Sequence, residues 1–65
     1  MASKEHLINA SVGDRVAVIG HMDQDSRIKP DVAGKVVDLD TPTWPGIDIG
    51  GGDIIHVPLY NLRAA

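Results

Sequence analysis

The chain has 65 residues and a net charge of -3, with six Lys and Arg scattered among nine Asp and Glu. It has no cysteine, which excludes disulfides and thiolate metal sites. It has no apolar run long enough to span a membrane as a helix, and no clustered basic stretch of the kind that general nucleic-acid binding needs.

Residues 1–10 are polar, then mildly apolar at Leu7 and Ile8. So short a stretch fits a frayed tail, a helical turn or an edge strand equally well, because periodicity needs a longer window. It is taken as a flexible or edge segment, with the domain proper at residues 11–65. Val12-Gly13-Asp14 reads as a turn, since glycine accepts positive φ and aspartate bonds nearby backbone amides. Arg15 to Ile19 is the clearest first strand, with Val16 and Val18 on one face and Arg15 and Ala17 on the other. Gly20 ends it. From His21 to Val32 the apolar signal nearly vanishes, and Asp23, Gln24, Asp25, Ser26, Arg27, Lys29 and Pro30 make a long polar loop. Such loops are uncommon in compact domains and often functional, the alternative being a solvated arm folded back on the domain.

Gly34 to Leu39 is the second strand, and its entry glycine points to a bend or bulge. Asp40 to Gly46 holds two prolines and ends in glycine, so it is a stiff connection. Ile47-Asp48-Ile49 alternates as a short third strand, Gly50-Gly51-Gly52-Asp53 is a hairpin turn, and Ile54 to Val57 is the fourth strand. Pro58 to Asn61 fits one 3₁₀ turn, and Leu62-Arg63 closes as a fifth strand.

Five short strands with closely spaced turns predict an all-β fold, a small five-stranded SH3-like barrel. Closure would remove the sticky edges of so small a sheet. A chain of this size buries only about 60% of its unfolded surface, so it relies on tight packing or on self-association. A homo-oligomer is therefore expected. The lack of cysteine and of an apolar leader core points to a soluble, cytoplasmic protein with no membrane partner.

The order Val12-Gly13-Asp14-Arg15-Val16, a long loop, Gly34-Lys35-Val36-Val37, Gly46-Ile47-Asp48-Ile49, a glycine turn, then Ile54 to Val57, Pro58 and Leu62 resembles the SH3-like barrels with a Gly-Asp-x-Val opening. These include ribosomal KOW-type modules, small actinobacterial proteins of unknown function and the plasmid-borne trimethoprim-resistant dihydrofolate reductase. The resemblance covers roughly residues 11–63 and implies a fold more than a function. The reductase family uses a lysine after its opening strand and a Val-Gln-Ile-Tyr run before a proline. This chain has Ala17-Val18 and Ile54-Ile55-His56-Val57 at those places, so lysine, glutamine and tyrosine are all missing. The resemblance therefore implies neither the reductase activity nor its cofactor.

No other catalytic set is visible. Gly50–Gly52 lacks the following helix and the lysine of a phosphate loop. Asp23-x-Asp25 lacks the glycine and distant glutamate of a calcium loop. With His21, Asp38, Asp40, Asp48 and Asp53 it reads as a solvated acidic surface, so no metal or cofactor is expected. His56 lies in an apolar strand with no nucleophile assigned to it, a half-buried wall residue or, at an oligomer seam, a pH-sensitive one.

Trp44, in the stiff Pro42-Thr43-Trp44-Pro45 loop, is the most informative residue. Tryptophan is enriched at interface hot spots, yet a small barrel also needs a large plug, so interface and core both fit. Resemblance to SH3-like domains implies a peptide-binding aromatic patch between the long first loop and the late 3₁₀ turn. The favoured reading is a non-catalytic interaction module. It would present Trp44, Tyr60 and the loop residues Asp23, Asp25 and Arg27 to a protein partner or to copies of itself. Two further readings are a ribosome-associated or nucleic-acid module, in which Arg15, Arg27, Lys29, Lys35 and Arg63 gather on one face, and an oligomeric small-molecule site.

Overall fold

Short aliphatic runs punctuated by glycine and proline become strands in the computed structural model, which describes residues 5–65. They are β1 (Arg15–Val18), β2 (Ala33–Asp38), β3 (Gly46–Gly50), β4 (Asp53–His56) and β5 (Leu62–Ala64), with a 3₁₀ turn at Leu59–Asn61. Each strand end falls within one residue of its sequence-based position. All pairings are antiparallel, in one sheet of order β4-β3-β2-β1-β5. No helix among the described residues is long and apolar enough to cross a membrane.

The fold is all-β as expected, and strand pairing does not close the sheet into the expected barrel. β4 and β5 are its two edges, and no strand ladder joins them among the described residues. Each edge is covered at one point. In the β1–β5 ladder the Leu62 carbonyl points outward, and it accepts the Leu7 amide at 2.8 Å. In the β3–β4 ladder the His56 carbonyl points outward, and it accepts the Trp44 indole N–H at 3.2 Å. Part of the N-terminal segment thus lies along β5, with Leu7 and Ala10 packed on the core and Ile8 facing solvent.

The core is aliphatic throughout: Val16, Val18, Ile28, Val36, Ile47, Ile55, Val57 and Leu62. Val16 and Val18 share the inner face as their spacing requires. Ala17, on the other face, is also buried, between its register partners Ala33 and Arg63. Ile28 belongs to this core at 3% exposure, and Met22 packs against it. The loop from His21 to Val32 is therefore not wholly polar. It folds back, with the Met22 amide donating to the Ile28 carbonyl and the Ile28 amide to the Asp25 carbonyl.

Two local devices fix how the strands meet. Gly34 sits where β2 passes close against the β3 backbone. A Cβ there would overlap the Asp48 carbonyl oxygen and lie 2.7 Å from the Ile47 Cγ2. The bulge itself falls later in β2, between Val36 and Asp38. Asn61 is buried and ties the 3₁₀ turn to the end of β1: its Oδ1 accepts the Gly20 amide at 2.9 Å and its Nδ2 donates to the Gly20 carbonyl at 2.8 Å.

Gly34→Ala should lower the unfolding free energy by about 2 kcal/mol or more, because backbone cannot yield as a side chain can. Gly13→Ala is the control. A Cβ there meets nothing within 4 Å, and only the positive φ of 98° opposes it, worth about 1–2 kcal/mol. Urea denaturation of both variants checks this, and equal losses would mean that the strand approach imposes no constraint.

Candidate functional site

Trp44 and Tyr60 are the chain's only aromatic residues, and neither enters the core. Trp44 is 38% exposed and Tyr60 62% exposed. Their ring centroids lie 6.5 Å apart with the planes at 89°, an edge-to-face pair. Trp44 stands in the β2–β3 connection, where its amide donates to the Thr41 carbonyl at 2.9 Å. Pro45, next in sequence, is fully buried and anchors the loop. The Leu59 amide donates to the Thr43 carbonyl at 3.0 Å and the Val57 amide to the Pro45 carbonyl at 3.1 Å. These bonds hold the Trp44 loop and the Tyr60 turn side by side. Trp44 thus lies outside the buried core cluster.

The patch continues onto the outer face of the sheet. Asp38, Gly46 and His56 are aligned across β2, β3 and β4 by register. His56 Nε2 lies 3.8 Å from Asp38 Oδ2, a partner that sequence gave no means to assign. A Cβ on Gly46 would come within 2.9 Å of the Asp38 Cβ and 3.2 Å of His56 Nε2. The Asp40 amide donates to Asp38 Oδ1 at 2.8 Å, which fixes the Asp38 carboxylate at the foot of the Trp44 loop.

The loop residues form a separate group. Arg27 grips Asp25 through three side-chain bonds, Nε to Oδ1 at 3.0 Å and to Oδ2 at 3.3 Å and Nη2 to Oδ2 at 2.7 Å, and its backbone amide adds a fourth at 2.9 Å. The side-chain bond from Arg27, then the backbone bond, hold the Asp25 carboxyl at about 2, below the usual carboxylate value, while the Arg27 guanidinium is pushed up by the same contact. Arg27 Nη1 also lies 3.9 Å from Asp53 Oδ1, at the glycine-turn end of β4. Trp44 lies at the opposite end of that strand, beside His56. Asp23 is fully exposed, its Oδ1 3.6 Å from His21 Nδ1. No hydrogen bond, ion pair or ring contact among the described residues joins this loop group to the aromatic pair.

Among the described residues no three His, Asp or Glu side chains converge as a metal site requires. Three basic residues share the outer face of the sheet, Arg15 opposite Lys35 and Arg63 opposite Ala17. Arg27 is held by Asp25, Arg63 Nη2 donates to Asp31 Oδ1 at 3.0 Å, and Lys35 faces Asp48 across the β2–β3 ladder. No family model matches the chain, and no curated protein or solved structure matches it.

The Asp25 carboxyl should titrate near 2 when followed by carbon-detected NMR. Its folded value lies below the unfolded one of about 3.9, so the clasp stabilises the loop fully above that pH and is lost as pH falls through 2. Arg27→Gln should return the midpoint to about 4, and an unchanged midpoint would assign the shift to something other than Arg27.

Proposed function

We propose that this chain is a non-catalytic interaction module that engages a protein partner through the Trp44–Tyr60 pair. One observation carries the reading. The fold fills its core with aliphatic side chains and leaves its only two aromatic rings at the surface, in contact with each other. Aromatic side chains carry the largest apolar area for burial, so the part of each ring left exposed is area that binding would cover.

The loop chemistry supports the same reading. Pro42 and Pro45 flank Trp44, and the backbone bonds from Thr41 and Thr43 fix its position before any partner arrives. Little conformational freedom is left to lose on binding. The Tyr60 hydroxyl has no hydrogen-bond partner among the described residues. It stands ready to donate to a partner carbonyl.

The test is panning of a random peptide display library on the full chain, with a Trp44→Ala/Tyr60→Ala variant as counter-selection. Clones should be enriched that bind the natural chain and lose at least tenfold in affinity for the variant. The variant should keep a β-type far-UV circular dichroism spectrum, because neither ring is in the core. It gives up one hydrogen bond to a backbone carbonyl, worth about 1 kcal/mol. Clones that bind both forms equally, or no enrichment at all, would overturn the reading.

A further inference from the structure

We infer that the aromatic pair takes a cationic side chain, an arginine or lysine on an extended segment of a partner protein. This rests on the interaction reading above and deepens it. The structure offers two features: the exposed rings of Trp44 and Tyr60, and the Asp38 carboxylate held at the foot of the Trp44 loop. A contact chain connects them. The Trp44 indole donates to the His56 carbonyl, and the His56 imidazole lies against Asp38. Asp38 in turn accepts the Asp40 amide, and Asp40 opens the loop that carries Trp44.

Cations are attracted to aromatic faces by the ring quadrupole, and arginine stacks on rings while pairing with a carboxylate through its planar fork. No lysine or arginine of the described residues stacks on either ring or pairs with Asp38 or Asp40. The side chain paired with Asp38 is the His56 imidazole, at 3.8 Å. At this end of the sheet the carboxylates therefore lack a guanidinium or ammonium counter-charge among the described residues. At the other end, Arg27 supplies one for Asp25.

Charge balance also argues for a different partner rather than a second copy. The chain carries a net charge of -3. Arg27 and Arg63 are held by Asp25 and Asp31, and Lys35 faces Asp48. A second copy thus offers mainly Arg15 and Lys29, and brings a further net charge of -3 toward an acidic aromatic patch. A polyanionic partner such as a nucleic acid would be repelled from it.

The library clones described above supply the test. Arginine or lysine should recur at one fixed position of the enriched peptides. A synthetic peptide of that sequence should lose at least tenfold in affinity when the residue is replaced by glutamine, followed by Trp44 fluorescence. Binding should weaken severalfold between low salt and 0.5 M salt. Asp38→Asn/Asp40→Asn, which leaves both rings in place, should abolish the preference for the charged peptide over the glutamine one while retaining the weaker binding common to both. A consensus that depends on Trp44 and Tyr60 but contains no fixed cation would overturn this inference and leave the interaction reading standing. An unchanged preference in the Asp38/Asp40 variant would overturn the role given to the carboxylates. No Trp44-dependent clone would overturn both readings together.

Discussion

The hydrogen bond from the Trp44 indole to the His56 carbonyl is the contact on which the arrangement of the surface depends. The sheet is open, so β4 has an edge of outward-facing peptide groups. Such edges invite pairing with other chains unless something covers them. Here a side chain from the preceding loop does so, at 3.2 Å. That single bond fixes the indole over the end of β4, and the ring then meets Tyr60 edge-on. At the other edge the Leu7 amide does the corresponding job for β5. One edge is therefore covered by backbone and stays plain, while the other is covered by a ring and gains a distinctive surface.

The aliphatic core makes this possible. Val, Ile and Leu fill the space between the faces of so small a sheet without a large plug, helped by Ile28 swinging in from the long loop. Were Trp44 needed inside, its loop would have to reach under the sheet. Instead Pro45 is buried in its place and points the chain so that the preceding residue stays outside. The close approach at Gly34 belongs to the same economy of volume. With no Cβ between them, β2 and β3 come near enough for short side chains to fill what lies beneath.

The strands were legible because glycine and proline mark their ends and because period-two alternation survives in Val16–Val18 and Ile47–Ile49. What the sequence hid is tertiary in origin. Met22 and Ile28 are lone apolar residues in a polar stretch, so no local period announces that they turn inward. Asn61 looks like any turn residue until Gly20, far away in the chain, is brought against it. The aromatic pair was half legible: composition singled out Trp44 and Tyr60, but a loop side chain's direction is set by the bonds its loop makes with distant strands. No local pattern announced that Arg27 would spend its fork on Asp25, apart from those rings.

That last pairing has a physical consequence for the whole surface. A bidentate clasp neutralises charge locally, and the field of Asp25 is largely cancelled within a few ångströms. Asp38 and Asp40 have no such clasp, so their field extends into solvent over about a Debye length, roughly 8 Å at physiological salt. The molecule's net negative charge is thus not spread evenly. It is left without an arginine or lysine partner at Asp38 and Asp40, and it is cancelled locally at the Asp25–Arg27 clasp. Two carboxylates of the same chemical type therefore play different parts, one closing a loop and the other charging a surface, and the difference comes down to whether an arginine stands two residues away.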